Sequence, residues 1–222
     1  MILGIDDAGR GPIIGPMILA GVLLTKEQEE IMKENEVRDS KMVTQNLRLV
    51  MERVIKENSV AHKIVKASPD LIDGSLTSGI NLNELEAKMA AKIINYINKD
   101  LTEKIKVIID CPSVNVGSWK ISLMNYIDKK DNLEISCEHK ADTNHLSAAA
   151  ASILAKVTRE EEISKLKKEF GDFGSGYPSD PKTKRFLVEK GNELANSGLF
   201  RKTWATWKKA YPEKFQGTIA DF

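Results

Sequence analysis

Cysteine is scarce: among 222 residues only Cys111 and Cys137 occur. Neither stands in C-x-x-C spacing and both fall in strand-like segments, so neither a disulfide framework nor a cysteine zinc site follows. Histidine is as sparse, with three residues and no paired ligand spacing, which argues against a zinc site through His139 and His145. Seven prolines and 14 glycines, beside 41% hydrophobic and 29% charged residues, exclude a disordered, collagenous or low-complexity chain. Long apolar runs are missing as well. Residues 12–24 and 146–157 are the longest, short of the roughly 18 to 20 that cross a bilayer. The opening Met1-Ile2-Leu3-Gly4-Ile5-Asp6 has no basic stretch of a signal or transit peptide, and the expectation is a cytoplasmic protein. Without heptads, repeats or an exposed apolar stripe, the expectation is also a monomer.

What is present is a globule large enough to bury a full core. Its net charge of +1 conceals an asymmetry: residues 156–222 carry 14 Lys+Arg against 10 Asp+Glu, the remainder 19 against 22. A mildly basic tail follows an acidic body. The pattern predicts a strand over 1–5, a second over 13–24, helices over 26–34 and 44–57, and a strand over 60–65. After a turn-rich stretch at 75–79, a helix is expected over 81–98, from the spacing of Leu82, Leu85, Met89, Ile93, Ile94 and Ile97. Strands follow at 105–109 and 133–137, separated by a helix at 117–129. An Ala-rich helix runs from 146 to 169, then helices reach about 196 and span 201–215. The alternation implies an α/β fold, a mixed sheet of about five strands flanked by helices, with a C-terminal helical extension.

Four acids, Asp6, Asp7, Asp110 and Asp142, stand at or just beyond the ends of strands that can share one sheet. Any one of them alone reads as a solvated turn residue. Converged, they would repel one another and resist ionisation unless hard divalent cations with oxygen ligands neutralised them. That chemistry points to Mg²⁺ or Mn²⁺, two ions together, and to hydrolysis of a phosphodiester.

At this point the motifs become specific. GIDDAGRGPIIGPM (residues 4–17) resembles the opening motif of the type 2 ribonucleases H. IIDCPSVN (108–115), EHKADT (138–143), the Ala-rich helix and GSGYPSDPKT (174–183) follow in that family's order and spacing. The resemblance covers residues 1–185 and is to ribonuclease HII, most like its archaeal branch. It implies the ribonuclease H-like fold, cleavage of the RNA strand of RNA:DNA hybrids, and incision on the 5′ side of a single ribonucleotide in duplex DNA. The family's four catalytic, metal-ligating acids correspond to Asp6, Asp7, Asp110 and Asp142, with Asp6 and Asp110 as the bridging pair. One position departs: the family has glutamate where this chain has Asp7. The carboxylate is drawn back by ~1 Å, which leaves open direct coordination or a bridging water. Asp7 reads either as a natural variant compensated by the backbone or as a substitution that slows the enzyme.

The resemblance also implies substrate contacts. Gly9, Arg10 and Gly11 form a turn whose backbone would meet the 2′-hydroxyl, the atom that separates RNA from DNA. Without the family it would read as a tight turn with a solvated arginine. Tyr177, in a loop of turn formers, would pack on the deoxyribose after the ribonucleotide, the alternative being a ring that plugs the loop against the core. Ser40 and Lys41 of the Asp-Ser-Lys loop suit a phosphate. Asn81 reads first as a helix cap and second as a nucleic-acid contact. Lys140 is close enough to Asp142 to meet phosphate, or is a surface lysine. In 201–209, Trp204 and Trp207 are expected on one helix face docked to the body, with the cations pointing outward. Residues 216–222 match most of a sliding-clamp box through Gln216, Ile219 and Phe222.

The resulting expectation is a catalytic domain over 1–176, a helical region over 177–215 packed on it and a tail over 216–222. Its substrates would be RNA:DNA hybrids and DNA containing ribonucleotides, its partner a sliding clamp, with no membrane contact. Two other readings compete: a hybrid-binding protein weakened by Asp7, and a nuclease of DNA junctions. The second leaves the Gly-Arg-Gly turn and Tyr177 without a purpose.

Overall fold

A computed structural model describes residues 1–37 and 44–212. In chain order the elements are β1 (Ile2–Ala8), β2 (Met17–Leu24), α1 (Lys26–Glu34), α2 (Gln45–Asn58), β3 (Ala61–Ala67), α3 (Pro69–Thr77) and α4 (Leu82–Asn98). There follow β4 (Ile105–Asp110), α5 (Val116–Met124), β5 (Leu133–Glu138), α6 (Ala141–Asn144), α7 (Leu146–Phe170), α8 (Pro181–Lys190) and α9 (Ala205–Ala210). The strands form one mixed sheet in the order β3-β2-β1-β4-β5, antiparallel over the first three and parallel from β1 to β5.

Both faces of the sheet are covered, so β2 is buried along its whole length. Alternation sends Leu3, Ile5, Leu19 and Leu23 to the side of α4 and α5, where they pack with Leu85, Ile93 and Trp119. Ile18, Ala20, Val22 and Leu24 face α1, α2 and α7. Two glycines permit this layering. A side chain at Gly4 would overlap the α7 backbone at Ser147 and Ala148, and one at Gly21 would overlap Ile93. The small residues Ala148 to Ala151 complete the close approach of α7, bringing the helix against the strand that carries the first acids.

Where the outcome differs from the pattern, the causes are local. The strand expected from residue 13 begins only at Met17, because Gly15 has φ +84° and Pro16 follows it. Ile13 and Ile14 instead join the C-terminal cluster with Phe173, Leu199, Phe200 and Trp207. Residues 75–77 of the stretch read as turn-rich are instead the last residues of α3, a helix capped by Ser68 and opened by Pro69. Helix α8 stops at Lys190, with turns to residue 198. Of the helix expected over 201–215, the part within the described residues is realised as the six residues of α9, with Trp204 as its N-cap and Trp207 buried. No helix among the described residues is long and apolar enough to cross a membrane.

Candidate active site

The parallel pairing of β1 with β4 sets Ile5 beside Ile109, so Asp6 and Asp110 emerge next to each other at the carboxyl ends of adjacent strands. Asp142 reaches the same place from α6. Lys140 makes this possible by adopting φ +59°, which turns the chain sharply after β5, and the Ala141 amide donates to Asp110 Oδ1 at 3.2 Å. One carboxylate oxygen from each of Asp6, Asp110 and Asp142 lies within 4.8 Å of the others. Asp6 and Asp142 are buried. Burial above all, then the charges of Asp7 and Asp110, push Asp6 from 3.8 up to about 8, against hydrogen bonds from Ser152 and the Asp7 amide. Burial and mutual repulsion thus favour a proton or a cation within this cluster at neutral pH. Three converging oxygen donors of this charge fit a hard divalent ion.

Asp7 is not among those three. Consecutive strand residues point to opposite faces, and Asp7 projects toward α4. There it lines a small, partly open cleft of about 10 Å³ together with Asp6, Asp110, Glu86 and Trp119. Burial pushes Asp7 up to about 6, with Arg10 opposing and Asp110 adding to the shift. The neighbour that the sequence reading passed over is Glu86, 1% exposed on the core face of α4. It accepts from Arg10 Nε at 2.8 Å through Oε1, while Oε2 is buried without a hydrogen-bond partner. Burial pushes it up to about 7, and Arg10 opposes the rise. A signal existed: position 86 falls on the apolar stripe of Leu82, Leu85, Met89 and Ile93, where a carboxylate needs a partner.

Beside the acids lies the Gly9–Gly11 turn. Gly9 has φ +83°, and a side chain on it would overlap Arg159. Arg10 is not simply a solvated arginine: although its side chain is 37% exposed, besides Glu86 it reaches Asn83 Oδ1 from Nη2 at 2.7 Å. Tyr177 stays 39% exposed, with Arg159 lying 5.3 Å from its ring centroid, so it does not plug the core. A methyl group at Gly11 would stand 3.7 Å from that ring, which puts turn and tyrosine side by side. The Tyr177 loop is tied to the same region by the Ile13 and Ile14 amides, which donate to the Gly176 carbonyl at 2.9 and 3.3 Å.

The other expected residues divide. Asn81 caps α4, accepting from the Glu84 amide at 3.0 Å, and it also borders a polar cleft of about 270 Å³ with Asn83, Ser113, Asn115 and Trp119. Lys140 is exposed two residues from Asp142. His139 Nδ1 is 3.2 Å from the Cys111 carbonyl oxygen, and His145 lies 3.1 Å from Glu138. Ser40, Lys41, Gln216, Ile219 and Phe222 lie outside the described residues. The expectation of outward cations fails at Arg201, which is fully buried and donates to the carbonyls of Gly9, Arg10 and Gly15. Nothing in the sequence around Arg201 marked this, since its partners are main-chain atoms some 190 residues earlier.

This arrangement can be set against known proteins. The family model described as Ribonuclease HII matches residues 3–207. A ribonuclease HII of Methanococcus maripaludis is 41% identical over 216 residues, covering 96% of this chain and 88% of that protein. The solved ribonuclease H2 of Pyrococcus horikoshii OT3 superposes with a TM-score of 0.83 at 32% identity, over 97% of this chain and 99% of its own. The ribonuclease HII of Archaeoglobus fulgidus, solved in complex with PCNA, gives 0.79 at 35% identity, over 92% and 95%. The three-acid cluster, the fold beneath it and these likenesses together establish that the chain belongs to the ribonuclease HII family of metal-dependent endoribonucleases, which hydrolyse the RNA strand of RNA:DNA hybrids.

Proposed function

We propose that this protein incises duplex DNA on the 5′ side of single ribonucleotides, in addition to cutting continuous RNA in hybrids. The observation that carries this reading is the adjacency of the acid cluster, the Gly9–Gly11 turn and Tyr177 beyond the carboxyl ends of β1 and β4. Asp6, Asp110 and Asp142, with Asp7 alongside, would hold two ions of Mg²⁺ or Mn²⁺. When bound, the ions supply an activated water and stabilise the charge that develops on the leaving oxygen. The protein's own part is placement. The backbone of Gly9, Arg10 and Gly11 presents main-chain groups to the ribose 2′-hydroxyl, and the exposed Tyr177 ring offers a flat surface to the following deoxyribose. Lys140, together with Ser40 and Lys41, supplies cationic and hydroxyl contacts for the flanking phosphates. The tail residues Gln216, Ile219 and Phe222 would engage a sliding clamp, a reading supported by the A. fulgidus relative having been solved with PCNA.

The test is cleavage of a duplex DNA carrying one ribonucleotide, with the all-DNA duplex as control. A single nick 5′ to the ribonucleotide, leaving 3′-hydroxyl and 5′-phosphate ends and abolished in Asp110→Asn, is the expected result. Equal cutting of the all-DNA duplex would overturn the reading in favour of a DNA nuclease. A second reading, a hybrid-binding protein of weak activity, is favoured by one observation: Asp7 stands outside the three-oxygen group. Tight binding without a nick in either Mg²⁺ or Mn²⁺ would establish it.

A further inference from the structure

The Gly9–Gly11 turn is held by the far end of the chain. Arg201 donates from Nη2 to the Gly9 carbonyl at 2.6 Å, from Nη1 to the Arg10 carbonyl at 2.8 Å and from Nε to the Gly15 carbonyl at 3.0 Å. Trp204 donates from Nε1 to the Gly11 carbonyl at 3.1 Å, and its ring lies 5.0 Å from the Arg201 guanidinium. Every carbonyl of the turn thus faces one short segment. That segment is itself anchored: the Arg201 amide donates to the Ile13 carbonyl at 2.8 Å. Asp73 of α3 accepts from the amides of Lys202 and Thr203 at 2.6 and 3.0 Å and from the Thr203 hydroxyl at 2.6 Å.

Peptide planarity turns this into a statement about the opposite side. In a trans peptide the C=O of one residue and the N–H of the next point in opposite directions, and no peptide bond here is cis. With the Gly9 and Arg10 carbonyls pinned to Arg201, the amides of Arg10 and Gly11 must point away from it. Among the described residues neither amide donates to a protein acceptor. The third carbonyl, Gly11, precedes Pro12, which has no N–H to present. The result is a pair of main-chain donors fixed in direction, beside the Tyr177 ring.

We propose that Arg201 and Trp204 are positioning residues for ribose recognition, a brace that aims the Arg10 and Gly11 amides at the 2′-oxygen. The inference rests on the reading of the turn as the ribose contact and adds a specificity role for the C-terminal region. A guanidinium suits the task because its donors lie in a rigid planar fork, able to span three carbonyls at fixed angles, whereas an ammonium is a point charge on a flexible stem.

The test is binding, in Ca²⁺ to hold the complex without relying on turnover, to a duplex with one ribonucleotide and to the all-DNA duplex of the same sequence. The ratio of the two dissociation constants is the readout, since a merely structural defect lowers the amount of folded protein without changing that ratio. Trp204→Phe keeps the ring over Arg201 and loses one hydrogen bond, for which roughly a two- to tenfold drop in preference is expected. Arg201→Lys should lose at least tenfold, with all-DNA affinity unchanged within twofold. If Arg201→Lys fails to fold by thermal unfolding, the half-buried Trp204 position decides the matter alone. Wild-type preference retained in the folded variants overturns the brace and leaves the ribose reading standing. No preference in the wild type overturns the ribose reading, and the brace falls with it.

Discussion

The acid cluster makes a definite statement about stability in the absence of metal. Asp6 is raised from 3.8 to about 8, chiefly by burial and then by Asp7. A carboxyl whose folded-state pKa exceeds its unfolded one favours folding in its protonated form, so between about pH 4 and pH 8 the native state binds more protons and stability falls as pH rises. At about 1.4 kcal/mol per pKa unit the displacement of Asp6 amounts to a penalty on the order of 5 kcal/mol above pH 8. For a chain of this size 1 kcal/mol moves the thermal midpoint by roughly 2–4 °C, which makes the effect roughly 10–20 °C. Asp6→Asn removes the ionisation and retains Oδ1 as an acceptor for the Asp7 amide at 2.8 Å. In thermal scans with EDTA, Asp6→Asn is therefore expected to melt above the wild type at pH 8 and close to it at pH 5. Adding Mg²⁺ or Mn²⁺ should raise the wild-type midpoint at pH 8 far more than at pH 5, and leave the variant little changed. A metal-free wild type as stable as Asp6→Asn at pH 8 would refute the reasoning, because the cluster would then carry no electrostatic strain.

Other positions give sharper single outcomes. Asp7→Glu restores ~1 Å of reach toward the three-oxygen group, and at least a tenfold gain in kcat/KM with Mg²⁺ is expected in a cleavage assay; no gain would mean that Asp7 already serves from where it stands. Gly4→Ala drives a methyl group into the α7 backbone and should cost about 3 kcal/mol or more, read by denaturant unfolding; a loss under about 1 kcal/mol would show that α7 can shift away from β1. Asn81→Ala removes the α4 cap, which is worth about 1 kcal/mol. Cleavage kinetics should change less than threefold if capping is its whole role, whereas a tenfold rise in KM would make it a substrate contact.

The layout of the sheet was legible because each strand announced itself by composition, α2 and α4 by their apolar stripes and α7 by its run of alanines. Ile105 to Ile109, β-branched and flanked by charge, read as a buried strand and is one. The α4 positions from Leu82 to Ile97 had one helical face. Departures came where a few residues act against their surroundings. Gly15-Pro16 cut short an apolar run that looked extended throughout, and Ser68-Pro69 opened a helix that runs on through residues 75–77, into a stretch whose serines and glycine suggested a turn. The site divided in the same way. Asp6, Asp110 and Asp142 were readable because an acid at or just beyond a strand end is conspicuous; the register of β1 with β4 then set the first two side by side, and the turn at Lys140 added the third.

By itself the sequence determined the elements, the order of the acids along them and the chemistry that converging carboxylates demand, since periodicity and residue type are local properties. Only the tertiary structure decided which acids share a point in space. Strand alternation turned Asp7 toward Glu86 and Arg10 while Asp6 turned to α7, a division invisible in the dipeptide itself. It likewise decided that Arg201 is buried, because a guanidinium satisfied by main-chain carbonyls leaves no trace in side-chain patterns. The residues that do chemistry were marked by their type, whereas those that hold the chemistry in place were marked only by what folding brought beside them.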